Sequence, residues 1–97
     1  MEEFEFNYPA KRKVTKRAHV GVVGSGDLEV LLEPIDGAAA LVRIRTSVDG
    51  FQNTWKAVLD RFFAQYDGAV LIEINDAGAT PGAVSLRLQQ AVEASEV

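Results

Sequence analysis

Phe51-Gln52-Asn53-Thr54-Trp55-Lys56-Ala57-Val58-Leu59-Asp60-Arg61-Phe62-Phe63-Ala64-Gln65-Tyr66 decides the architecture of this chain. Its apolar residues, Phe51, Trp55, Val58, Leu59, Phe62, Phe63 and Tyr66, fall at i, i+4, i+7, i+8, i+11, i+12 and i+15. That spacing is one face of an α-helix. Asp49 or Ser47 can cap its start, and Gly68 can end it. Upstream, from Ala40 to Ser47, Val42, Ile44 and Thr46 alternate with Arg43 and Arg45, as in a strand with one face buried and one wet. Downstream, from Ala69 to Asn75, Val70, Ile72 and Ile74 share one side. Two strands joined through a helix run parallel when both lie in one sheet, with a right-handed crossover.

Working outward, the next clear unit lies nearer the N-terminus. Arg17 to Val23 and Leu28 to Glu33 read as two strands, and Gly24-Ser25-Gly26-Asp27 between them is hairpin-loop chemistry. Phe4, Phe6 and Tyr8 alternate with Glu5 and Asn7, a short edge strand ended by Pro9. Residues 10–16 read as a polar connection, so residues 1–16 form a partly extended N-terminal segment. Pro34-Ile35-Asp36-Gly37 is a turn. Toward the C-terminus, Asp76-Ala77-Gly78-Ala79 is a small-residue loop, and Thr80-Pro81 pairs an N-cap with a first-turn proline. Val84, Leu88, Ala91 and Val92 then keep helical spacing, although Val84-Ser85-Leu86-Arg87-Leu88 also alternates like a strand. The expected fold is two-layer α+β: a mixed, mostly antiparallel sheet of about four to five strands with two helices on one face.

Ninety-seven residues make one domain, residues 1–97. There is no cysteine, which excludes disulfides, thiolate metal sites and cysteine nucleophiles. No apolar run approaches the roughly 20 residues of a membrane span. The acidic start, Met1-Glu2-Glu3-Phe4-Glu5, lacks the order of a signal peptide, so a cytoplasmic location is expected. Net charge is −4, unevenly spread: residues 1–20 hold five basic and three acidic groups, the remainder five basic and eleven acidic. An acidic body argues against a nucleic-acid-binding module. The basic stretch from Lys11 to Arg17 reads as a solvated linker or as a docking patch for a partner or for phosphates.

The loop serine is the chemical focus. Gly24 and Gly26 leave the Ser25 hydroxyl uncrowded, and the flanking Val-rich runs direct the loop outward. Such a hydroxyl suits covalent attachment by another protein. It does not suit catalysis: the strained elbow of hydrolases needs Gly-x-Ser-x-Gly, and here the outer positions are Val23 and Asp27. The single histidine, His19, reads as a strand residue or a ligand-seating group. Gly24-x-Gly26 is no dinucleotide fingerprint, because position 29 is Glu and a strand follows. Asp27, Glu29 and Glu33 read as solvated charges or as a surface for a modifying enzyme, and no metal site is expected. Trp55, Phe62 and Phe63 read as core. The stretch from Gly78 to Gly82, at a helix start, reads as a plain cap and loop or as an anion contact.

Two stretches carry a family resemblance: Val23-Gly24-Ser25-Gly26-Asp27-Leu28-Glu29-Val30-Leu31-Leu32-Glu33-Pro34 and Asp76-Ala77-Gly78-Ala79-Thr80-Pro81-Gly82. With them the chain, from about Phe4 to the C-terminal segment, resembles the acyl carrier (delta) subunit family of malonate decarboxylase. The resemblance implies that Ser25 carries 2'-(5''-phosphoribosyl)-3'-dephospho-CoA through a phosphodiester, put there by a dedicated transferase. Gly24, Gly26 and Asp27 would form the attachment loop, and Gly78 and Thr80 would contact the arm or a partner. It also implies acyltransferase and decarboxylase subunits as partners, and no catalytic residue in this chain. The acyl carrier subunit of citrate lyase, which uses the same type of group, is the neighbouring reading, and an unmodified protein-interaction module the more distant one. Ordinary acyl carriers are helical bundles with serine in an Asp-Ser-Leu motif, which this chain lacks.

Overall fold

A computed structural model describes all residues, 1–97. In chain order the elements are β1 (Glu2–Pro9), β2 (Arg12–Lys13), β3 (Ala18–Gly21), β4 (Leu28–Pro34), β5 (Ala39–Thr46), α1 (Gln52–Phe63), β6 (Gly68–Asp76) and α2 (Pro81–Ser95). Five strands form one sheet in the order β1-β5-β6-β4-β3, and β2 adds to β6. β1–β5, β3–β4 and β4–β6 are antiparallel. β5 and β6, joined through α1, are parallel, with Ile44 opposite Ile74. The expected two-layer α+β architecture is what the chain adopts.

Alternation explains which face the helices cover. On β4 Leu28, Val30 and Leu32 are fully buried, and so are Val42 on β5 and Val70 and Ile72 on β6. The period-two residues between them look the other way. Leu59 of α1 and Leu88 of α2 are also wholly buried and join the same cluster of 18 core residues. Each fully buried Leu contributes about 1.5–3 kcal/mol relative to an exposed one. The opposite sheet face is polar. Arg45 pairs with Glu3 at 3.3 Å, Arg43 with Glu5 at 3.2 Å and His19 with Glu29 at 2.9 Å.

Four local expectations need correction. α1 stops at Phe63, and Gly68 opens β6 instead of ending the helix. Tyr66 is buried all the same, because the chain folds back and stacks its ring on Phe62, 5.1 Å between centroids. Neither Ser47 nor Asp49 caps α1. Phe51 is the N-cap, without a side-chain hydrogen bond, while Ser47 N–H donates to the Asp76 carbonyl and Asp49 pairs with the N-terminal amine. The strand expected over residues 17–23 is only Ala18–Gly21, and Val22 and Val23 are exposed.

The connection 10–16 is not a free linker. Lys11 and Arg12 N–H groups donate to the Asp67 carbonyl, Ala10 and Val14 are buried, and β2 pairs with the start of β6. Arg12 also pairs with Asp67 and Glu96 and lies over the Tyr66 ring.

Candidate attachment site on the β3–β4 loop

Ser25 stands on a tight turn in the loop that closes the β3–β4 hairpin. Asp27 N–H donates to the Gly24 carbonyl at 2.9 Å, closing a four-residue β-turn. Gly26 occupies its third position with φ of 76°. A type II turn requires that left-handed conformation there, and glycine takes it without steric cost. Ser25 itself has negative φ and is exposed. Gly24 is different: its φ is not left-handed, and an added Cβ would meet nothing within 4 Å.

The loop is fastened at its base. Gly26 N–H donates to the Ala77 carbonyl at 2.8 Å, and Ala77 N–H returns a bond to the Asp27 carbonyl at 2.9 Å. These two bonds extend the β4–β6 ladder past its last rung, Leu28 opposite Asp76. They bring together the two stretches around Ser25 and Gly78, some fifty residues apart in the chain. Asp27 carries a second fastening. Its carboxylate accepts from Arg87 of α2 through Nη2 at 2.8 Å and Nε at 3.3 Å, and from the Leu28 N–H at 2.7 Å. The Arg87 hydrogen bonds, then the Leu28 amide, hold the Asp27 carboxyl below its ordinary range, and Asp27 in turn raises Arg87. Paired forks of this kind fix geometry as well as charge.

Beside the loop, Asp76 ends β6 and organises the turn into α2. Thr46 Oγ1 donates to its Oδ2 at 2.8 Å, Gly78 N–H donates to the same oxygen at 3.1 Å, and Ala79 N–H to Oδ1 at 2.9 Å. Thr80 is the N-cap of α2, accepting from Ala83 N–H at 3.1 Å, with Pro81 at the first helical position. Gly78, Ala79 and Ala83 amides are thus committed. Gly78 and Thr80 flank the attachment loop; the Gly78 amide is taken by Asp76, while the Thr80 side chain accepts from Ala83 and keeps its own O–H.

Other candidate residues lie apart from Ser25. His19 sits two residues, about 7 Å, below the last β3 rung, on the polar sheet face and bonded to Glu29. Ser25 has no base within this arrangement. No group of three His, Asp or Glu side chains is placed to hold a metal ion. Within the basic stretch Lys11–Arg17, Arg12 pairs with Gly68 at the far end of β6, eight residues from Asp76 and so about 26 Å away. Trp55 belongs to the core, and Phe62 and Phe63 pack against it. Thr46, Asp76, Arg87 and Gly21 were not singled out from the sequence, although they shape the loop's surroundings. For Gly21 a signal existed: a glycine ending a Val-containing strand often marks close backbone approach.

What these features define is a small α+β module with a chemically unassisted serine on an exposed turn fastened at its base. A family model described as malonate decarboxylase delta subunit (MdcD) matches residues 15–95, and the chain belongs to that family of acyl carrier proteins. The malonate decarboxylase acyl carrier protein of Azotobacter vinelandii is 47% identical over 94 residues, covering 96% of this chain and 95% of the relative. That of Pseudomonas savastanoi pv. phaseolicola is 49% identical over the same shares. A chain in the crystal structure of a Pseudomonas malonate decarboxylase hetero-tetramer in complex with malonate superposes with a TM-score of 0.93 at 47% identity. The match covers 97% of this chain and 98% of that one.

Proposed function

We propose that this chain is the acyl carrier subunit of a malonate decarboxylase. It holds acetyl and malonyl as thioesters on 2'-(5''-phosphoribosyl)-3'-dephospho-CoA, joined by a phosphodiester to Ser25 Oγ. The observation that carries the reading is the Ser25 turn in a chain of this family: exposed, held from below by Ala77 and Arg87, and without a base to activate it. A dedicated transferase supplies the group, and the same exposure gives that enzyme access.

The cycle then runs on partner subunits. An acyltransferase exchanges acetyl for malonyl on the carrier, and a decarboxylase removes CO2 and leaves acetyl-carrier. The thioester stabilises the carbanion left by decarboxylation better than a free carboxylate does. Holding the developing enolate needs placed dipoles in a water-excluded pocket, and those belong to the partners. The tether keeps the acyl unit at an effective concentration on the order of mM at each site. No helix is long and apolar enough to cross a membrane, in keeping with a carrier that works in the cytoplasm.

Labelled CO2 release from malonate, with each subunit omitted in turn, tests this directly. The loaded chain alone releases none, and acyltransferase plus decarboxylase subunits turn over only when it is added. Turnover by the isolated chain, or full turnover by the partners without it, contradicts the carrier role.

A further inference from the structure

A half-open cavity of about 180 Å³ lies between the first turns of α1 and α2, beside the attachment loop. Phe51, Trp55 and Val58 of the α1 end form one wall; Pro81 and Val84 of α2 form the other. Asp76, Gly78 and Ala79 close it where the fastened loop begins. We propose that this cavity seats the acetyl thioester end of the prosthetic arm in the resting carrier and leaves the malonyl form outside. The proposal rests on the carrier reading above.

Reach is satisfied. Gly26 is hydrogen-bonded to Ala77, and each is one residue from Ser25 and Gly78 respectively. With 3.8 Å between successive Cα atoms, Ser25 and Gly78 are at most about 14 Å apart. The pantetheine portion, roughly a dozen bonds advancing about 1.2 Å each, spans that distance before the rest of the arm is counted. Size also fits: an apolar cavity of about 150 Å³ takes a benzene-sized guest, and an acetyl thioester is slimmer than that.

Charge decides between the two acyl groups. The walls contain no Lys, Arg or His, and the single charged lining residue is the anionic Asp76. The N-terminal ends of both helices face this region, each equivalent to about +0.5 charge. Asp76, bonded to the Gly78 and Ala79 amides, sets a carboxylate against the α2 end. A malonyl carboxylate entering here finds no cationic side chain, gives up part of its water and meets the like charge of Asp76. Acetyl carries no charge and gains apolar contact with Trp55 and Val58. The thioester therefore rests sheltered from water after decarboxylation and swings free once it becomes malonyl.

The first test uses the bare chain, so it stands whether or not Ser25 is the attachment point. ¹H–¹⁵N spectra are recorded while S-acetylpantetheine or S-malonylpantetheine is added to mM concentration. Shifts of the Trp55 indole and the Val58 and Val84 amides with acetyl, and none of that size with malonyl, are expected. A free-probe Kd near 0.1 mM gives about nine-tenths occupancy at a tethered concentration of about 1 mM. No shifts with acetyl, or equal shifts with both, overturn the seat. The second test uses chain whose intact mass shows the loaded group. Hydroxylamine should cleave its acetyl thioester about tenfold more slowly than free S-acetylpantetheine, as nine-tenths occupancy requires, and its malonyl thioester at the free rate. Thr54→Phe, a rim substitution at an exposed position, should remove that protection. If the variant does not fold, Phe51→Ala opens the same wall. Equal slowing of the two thioesters in the native chain, each relative to its free pantetheine counterpart, contradicts the proposal. An unloaded mass contradicts only the attachment reading.

Discussion

Ser25→Ala abolishes covalent loading, and a decarboxylase assembled with that variant releases no CO2 from malonate, while the domain stays folded. The expectation follows from the turn. Ser25 is exposed, its φ is negative, and alanine adopts that conformation as readily. The loop is held by backbone bonds from Gly26, Asp27 and Ala77 and by the Asp27–Arg87 pair, none of which involves the Ser25 side chain. A surface change of this kind shifts stability by about 0.5 kcal/mol or less. For a domain of this size that is a Tm change of about 2–4 °C. Intact mass, circular dichroism and labelled CO2 release check the three parts separately. Normal loading of the variant would remove Ser25 from its role, and loss of the folded spectrum would make the side chain structural.

Gly21→Ala should have the largest effect on the fold of the site. Gly21 ends β3 with φ of 78°. A Cβ there runs into the Leu28 carbonyl oxygen and comes within 3.3 Å of Arg87 Nε. The left-handed conformation alone costs a residue with a side chain about 1–3 kcal/mol. The obstacle is backbone, which cannot swing aside as a side-chain end can, so the hairpin mouth must open. A total loss of about 3 kcal/mol or more is expected, with a fall in Tm of at least roughly 12 °C. Gly24→Ala is the control. Its Cβ meets nothing, and its urea midpoint should be nearly native. Equal midpoints for the two variants would contradict this account of the hairpin.

The contrast between Gly21 and Gly24 shows where sequence reading reaches its limit. Composition places Gly24, Ser25 and Gly26 on a loop, and the structure agrees. The two loop glycines do different things, because only Gly26 takes positive φ. What the sequence cannot display is which residues arrive from far along the chain. Arg87 reads as one more charge on an exposed helix face, yet α2 crosses β3 and β4 and brings it to Asp27. Asp76 reads as a loop acid, yet the antiparallel register of β4 and β6 makes it the organiser of the adjoining turn.

The same distinction governs the helix. Periodicity reports burial, not hydrogen bonding, so Phe51 and Tyr66 fit the apolar spacing although neither is in α1. One sits half-exposed at the N-cap, and the other is buried from the following loop. The two-residue β2 is too short to have a period. Its position is set by pairing with β6 and by the burial of Ala10 and Val14 on either side, so polar composition alone makes it look like linker. Family membership was legible in the residues of the two matching stretches themselves; the fold adds that they meet at one place, through the Gly26, Asp27 and Ala77 backbone bonds.

The most direct measurement is the intact mass of this chain isolated from cells making the whole malonate decarboxylase, followed by mapping of its peptides. The account predicts an increase of several hundred daltons, confined to the peptide containing Ser25 and matching phosphoribosyl-dephospho-CoA. An unmodified chain in an active complex, or the group on another residue, would contradict it.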